Sequence, residues 1–374
     1  MKILHVITCL GDGGAEGVLY RLCTYDSSAK HIVVSLMDEG KYGPLLRKAG
    51  IEVHCLNMSQ GRVSFFGLWQ LFKLLRTRKP DVVQTWMYHA DLIGGLLARL
   101  VGIRNIFWNI RQSVFDEKKS KYSSILVSRL CAQLSAVVPK RIICCGHEVM
   151  RHHSELGYVS SKMSVIFNGY DLASFNSNDV LATAFRREFK IEPETLFLGM
   201  VGRFDPQKDH LGLLRALYRV KNTIPDFKFA LIGRDLNSAN NMVVAEILKR
   251  GLGSNILLLD QRSDIPSVMN GLDIHILSSS YGEGFPNVLA EAMACGTPCI
   301  STNVGDSAVI IAETGWILPP NDPKALAGAI VQAIHDKQNN HDVWLERKLA
   351  CRNRVVENFS LDTMIEKYKQ VWST

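Results

Sequence analysis

The chain has 374 residues, 47% of them hydrophobic and 21% charged, with 28 glycines and 12 prolines. That length points to two domains, and that composition excludes disordered and collagen-like chains. The net charge of +7 is unevenly spread: residues 1–190 carry 25 Lys+Arg against 15 Asp+Glu, a net +10. On charge alone the first half suits nucleic acid, an anionic membrane surface or an anionic substrate.

The first run, "KILHVIT", reads as a buried strand that enters the glycine turn "GDGG", not as a signal peptide. "HIVVSLM", "IEVHCL", "DVVQTWM", "NIFWNI" and "RIICC" follow as further strands, with helical patterns between several of them. In "FFGLWQLFKLLRTRK", Phe65, Leu68, Trp69, Phe72 and Leu75 fall on one helical face. Arg99 and Arg129 interrupt the longest apolar stretches, so no transmembrane span is expected. The nine cysteines lack metal-ligand spacing and read as reduced thiols of a cytosolic protein. After a glycine-containing turn near Ile166 and a polar stretch to Lys190, a second alternation begins: "LFLGMVGRF", "FKFALIG", "NILLLD", "DIHILSS" and "TPCISTNV". Strands alternating with helices twice over predict an α/β protein of two Rossmann-like halves, with ligands outside the carboxyl ends of the strands. The expected division is 1–185 and 186–359, with the last helix, near 360–374, packing back on the first half.

The chemistry gathers in "EGFPNVLAEAMACGTP". A loop bearing Glu283 leads into a helix starting near Pro286, whose first amides, around Asn287 to Leu289, suit phosphate oxygens. Glu283 and Glu291 are then placed to accept hydroxyls at two ends of a ligand. On spacing alone, a carboxylate compensating a helix dipole and a solvated carboxylate explain them equally well. "VGRFDPQKDH" tips the balance, because Arg203 and Lys208 follow another strand and suit a diphosphate. "LGDGGAEG" is not a dinucleotide fingerprint, since Glu16 stands where the third glycine belongs; a plain strand-to-helix turn explains it as well as a close ligand approach does.

Taken together, "GRFDPQKD", "EGFPNVLAEAMACGTPCISTNVGD", "GWILPPNDPKALAGAI", "GDGGAE" and "NGYDLASF" resemble glycosyltransferase family 4, over effectively the whole chain. The resemblance implies the GT-B fold, two Rossmann-like domains facing across a cleft, and a retaining, metal-independent transfer from a nucleotide diphosphate sugar. It implies no cofactor beyond that substrate and no nucleic acid partner. By motif, Glu283 holds the donor sugar and Glu291 the ribose. Arg203 and Lys208 hold the diphosphate, and Gly13 and Gly14 approach it from the first domain. The residues Gly284, Phe285, Pro286, Asn287, Val288 and Leu289 complete the donor loop. Many members carry a histidine after the strand that here reads "IFWNIRQS", where this chain has Arg111. His89 in "MYHAD" is the alternative imidazole for the acceptor side, although an ordinary loop or partly buried histidine explains it slightly better.

The expected donor is a UDP-linked hexose or N-acetylhexosamine. The expected acceptor is a glycan or polyprenyl-diphosphate-linked glycan of surface polysaccharide synthesis, met at the cytoplasmic face of the membrane. Two basic clusters favour an anionic membrane surface: Lys73, Arg76, Arg78 and Lys79, and Lys118, Lys119 and Lys121 beside Phe115 and Tyr122. A GT-B-fold nucleotide-sugar epimerase and a catalytically silent sugar-nucleotide-binding subunit are the competing readings.

Overall fold

The computed structural model describes residues 1–111 and 122–374; of Tyr122 and Ser123 it describes only the backbone. Phe115, Lys118, Lys119 and Lys121 therefore lie outside the described residues. The chain divides into two compact units, Met1–Gly169 with Leu361–Thr374, and Tyr170–Ser360.

The first unit is built on a parallel sheet of β1 (Lys2–Ile7), β2 (Lys30–Ser35), β3 (Glu52–Cys55), β4 (Val82–Trp86), β5 (Ile106–Ile110), β6 (Arg141–Cys144) and β7 (Met163–Val165). Their order is β3-β2-β1-β4-β5-β6-β7, so the strand order reverses between β1 and β4. These two strands pair in parallel from Ile3 against Val82 to Ile7 against Trp86. Both are buried on both faces, which is why they read as continuous apolar runs. The terminal helix Leu361–Trp372 belongs to this unit and buries Met364, Ile365, Tyr368 and Trp372 against Ile3, Val33 and Trp86. Its polar atoms are paired as well: Trp372 Nε1 donates to Gln84 Oε1 at 2.9 Å, and Asn109 Nδ2 donates to the Tyr368 hydroxyl at 2.6 Å.

The second unit repeats the plan with β8 (Phe197–Val201), β9 (Lys228–Ile232), β10 (Ile256–Leu258), β11 (Ile274–Leu277), β12 (Cys299–Thr302) and β13 (Trp316–Leu318). The order β10-β9-β8-β11-β12-β13 puts its reversal between β8 and β11.

Three features differ from the sequence expectation. The division falls at Gly169/Tyr170 instead of 185/186. Tyr170 N donates to Phe359 O at 2.9 Å, and Phe185 fills the space that a side chain at Gly271 would occupy. Arg186 adds a 2.8 Å ion pair to Asp273, so the stretch from 170 onward is tied to the second sheet. The strands β7 and β13 were not expected: each has three residues and lies in a shorter apolar run than the "ILLL" that marked the equally short β10.

The third difference is the helix Phe65–Arg78. Of the expected face Leu75 is buried and Leu68 and Phe72 are half-buried, whereas Phe65 and Trp69 are exposed; Gly67 and Leu71 are buried beside Leu75. Gly67 decides this, because a Cβ there would lie 2.5 Å from Met58 Cε. The missing side chain lets the buried Met58 reach the helix and turns the aromatic rings to solvent.

Candidate donor and acceptor sites

In the second unit the loops after β8 and β11 leave adjacent strands at the point of reversal, where open α/β sheets bind ligands. Past β8, Asp205 caps the short turn Pro206–Lys208 by accepting from Gln207 N at 2.9 Å. The same carboxylate accepts from Arg203 Nε at 3.2 Å and steers an otherwise half-exposed guanidinium. Past β11, Ser280 N donates to Gln207 O at 2.8 Å, lacing the second loop to that turn.

The lacing brings two of the expected residues together. Lys208 Nζ donates to Glu283 Oε1 at 2.6 Å, and Ser279 Oγ donates to the same oxygen at 2.6 Å. Both charged side chains are nearly out of solvent, 13% exposed for Lys208 and 9% for Glu283. Burying a lone charge is strongly unfavourable, so each charge compensates the other. Ser279 was not singled out from the sequence. Its only signal was the run "SSS" directly after a strand, too common a pattern to assign a role.

The loop enters the helix Asn287–Ala294 through Pro286, which stands just before the first helical residue and not within it. Phe285 is buried and meets Phe359 edge to face, with ring centroids 5.4 Å apart. Asn287 Oδ1 accepts from the Tyr170 hydroxyl at 2.6 Å. Leu289 departs from the expectation: its side chain is fully buried, and its amide donates to Pro286 O at 3.2 Å. The first-turn positions left to face a ligand are Asn287 and Val288, both half-buried. Glu291 sits half-buried one turn further on, four residues from Asn287 and so on the same helical face. From the loop after β12, Asp306 N donates to Gly284 O at 2.9 Å and holds the Glu283 loop from behind.

In the first unit, the expected residues line the carboxyl rim of neighbouring strands. Gly13 and Gly14 follow β1, with Gly13 capping the helix Gly14–Tyr25. Gly13 has φ of −137°, so its backbone does not require glycine; a Cβ would instead meet the Glu16 carboxylate. His89 follows β4 in the first turn of the helix Tyr88–Leu100. Partial burial lowers its pKa and favours a neutral imidazole able to accept a proton. The preceding Met87 has φ of 72° and ψ of 154°, a strained conformation for a side-chain-bearing residue. Arg111 follows β5 and is already engaged: its guanidinium bonds Asn168, reaches the Tyr368 hydroxyl at 3.3 Å and stacks over Trp86.

The fold is that of the GT-B glycosyltransferases. Anabaena HepE in complex with UDP-glucose superposes with a TM-score of 0.84 at 20% identity, over 100% of this chain and 99% of that one. The family model "Glycosyltransferase Family 4" matches residues 12–174, and "Glycosyl transferases group 1" matches residues 182–347. The chain belongs to the family 4-type glycosyltransferases. Among its relatives is the Escherichia coli UDP-Gal:alpha-D-GlcNAc-diphosphoundecaprenol alpha-1,3-galactosyltransferase, 29% identical over 82% of this chain and 78% of the relative. Another is the Staphylococcus aureus capsular polysaccharide biosynthesis glycosyltransferase CapM, 25% identical over 86% of this chain and 84% of that protein.

Proposed function

We propose that the protein transfers a hexose or N-acetylhexosamine from its UDP-linked form to a polyprenyl-diphosphate-linked glycan in surface polysaccharide synthesis, with retention at the anomeric carbon. The observation that carries this reading is the buried Lys208–Glu283–Ser279 cluster at the strand-order reversal of the second sheet. Lys208 and Arg203 bring positive charge to one edge of that cluster, where a departing diphosphate needs it. Glu283 accepts hydroxyls of the donor sugar, and Glu291 those of the ribose. Support for the donor and acceptor classes comes from the Escherichia coli relative, whose name states both.

In the proposed step the bond between the anomeric carbon and the phosphate oxygen breaks as the acceptor oxygen bonds to the same face of that carbon. The acceptor proton passes to the departing phosphate oxygen, and UDP leaves. The charge on the leaving group is met by Lys208 and Arg203, with no metal assigned a role. The acceptor is assigned to the first unit's rim, where Arg111 is held rigidly by three partners and His89 is kept neutral.

Calorimetric titration with UDP tests the division of labour. Arg203→Ala, Lys208→Ala and Glu291→Ala should each weaken UDP binding, by roughly tenfold or more for a lost charged hydrogen bond. Glu283→Gln should leave UDP affinity nearly unchanged. Equal losses at all four positions, or none, would overturn the assignment.

A further inference from the structure

The segment Met58–Lys79 carries Arg62, Lys73, Arg76, Arg78 and Lys79 and has no acidic residue. At its helical start three aromatic rings stand in solvent together: Phe65 is 86% exposed, Phe66 62% and Trp69 50%. Val63, just before the helix, is exposed as well. Phe66 and Trp69 stack with centroids 6.1 Å apart, and Lys73 Nζ lies 5.3 Å from the Trp69 ring centroid. Scattered apolar residues on a surface are ordinary, but three exposed rings within five positions, two of them stacked and one against a cation, are not.

The position of this tip follows from topology. In a parallel sheet a helix that follows a strand starts at the strand's carboxyl end. Phe65 and Phe66 therefore sit on the rim that carries Gly13, Gly14, His89 and Arg111. The other end of the helix is tied to the opposite rim: Arg78 Nε donates to Glu52 Oε1 at 2.8 Å, and Lys2 Nζ donates to Arg78 O at 2.7 Å. Arg78 is thus occupied within the unit; Lys73 is the cation beside the Trp69 ring, and Arg62 is exposed next to Val63 in the chain.

We propose that Val63, Phe65, Phe66 and Trp69 insert into the interfacial layer of an anionic lipid bilayer, with Arg62 and Lys73 against its headgroups. Aromatic rings on a basic amphipathic element favour that boundary, and the cations select a negative surface. Charge argues against a second copy of this chain as the occupant, because a twofold contact would oppose two segments of five cations each. Docking here sets the acceptor rim against the lipid surface, where a polyprenyl-diphosphate-linked glycan is displayed. The proposal deepens the proposed function and rests on it for the identity of the acceptor only.

The test is co-sedimentation with vesicles of phosphatidylglycerol and phosphatidylcholine, compared with pure phosphatidylcholine, alongside UDP calorimetry and sedimentation velocity without lipid. The unaltered protein is expected to bind the anionic vesicles about tenfold or more tightly, with the difference erased by high salt. Phe65→Ser combined with Phe66→Ser and Trp69→Ser should lower vesicle affinity by at least about tenfold while UDP affinity is kept. Phe65→Ser alone removes the most exposed ring, which buries little within the fold, and should weaken binding by roughly threefold. Arg62→Gln with Lys73→Gln should remove the preference for anionic lipid. Vesicle binding unchanged in the aromatic variants overturns the proposal. So does a lipid-free dimer that those variants dissociate. Vesicle binding that follows this pattern in a protein without UDP binding or transfer supports the docking surface and overturns the proposed function instead.

Discussion

Glu283 and Lys208 hold each other in place, which changes how each should be tested. Truncating either one leaves its buried partner uncompensated, at a cost of about 3–5 kcal/mol. Glu283→Ala therefore mixes a folding defect with any catalytic one. Glu283→Gln also takes the counter-charge from Lys208, but it keeps a side-chain oxygen that accepts from Ser279 and Lys208 and so leaves a smaller folding defect. If the carboxylate grips donor hydroxyls as the glycosidic bond lengthens, this variant should lose roughly two to three orders of magnitude in kcat, with little change in UDP affinity. A transfer assay beside a thermal melt decides it, and full turnover would remove Glu283 from the reaction. The sequence made this pair accessible through its two ends: a cation after one strand, a carboxylate after another. It did not show that the two side chains bond each other across 75 positions, because that contact depends on which strands become neighbours. Ser279 stayed hidden for the same reason, being a common residue made specific by its partner.

At the scale of elements, the Glu283 loop depends on the loop after β12. Gly305 has φ of 59°, and a Cβ there would lie 2.5 Å from Glu283 O and 2.7 Å from Gly284 O. Gly305→Ala must push the Glu283 loop forward as well as occupy a disfavoured backbone region. The expected result is a stability loss of about 2 kcal/mol and a fall of roughly tenfold or more in turnover, with UDP binding less affected. Urea unfolding and the transfer assay measure both, and a variant normal in each would show that the loop holds itself. Strands of four to six residues with continuous apolar runs were legible from the sequence. The three-residue edge strands β7 and β13 were not, since pairing defines them more than composition does. The helix Phe65–Arg78 was recognised as a helix, and Leu75 of its expected face is buried, but Phe65 and Trp69 are turned to solvent. One glycine beside a methionine outweighed the aromatic periodicity.

Across the whole molecule, five buried histidines make stability depend on pH. His5 and His31 in the first unit have lowered pKa values, chiefly because burial disfavours the cation. Burial also lowers His153 to about 4 in that unit. In the second unit, burial and then the nearby Lys208 ammonium bring His210 to about 4 and His275 to about 3. All are neutral in the folded chain and titrate near the ordinary value of about 6.5 once unfolded. Between those values the unfolded state binds more protons, so stability is full above about pH 6.5 and falls as pH drops below it. The loss continues until the folded-state values are reached. His153, His210 and His275 should each give up about 1.4 kcal/mol between about pH 7.5 and pH 5.5, roughly 4 kcal/mol together. Because His210 and His275 remain neutral in the folded chain throughout this window, the increment that UDP adds to stability should be the same at both pH values as far as these two residues decide it. Urea unfolding at the two pH values, with and without saturating UDP, measures this. Equal or greater stability at the lower pH would mean that these imidazoles gain partners on protonation that their buried surroundings do not supply.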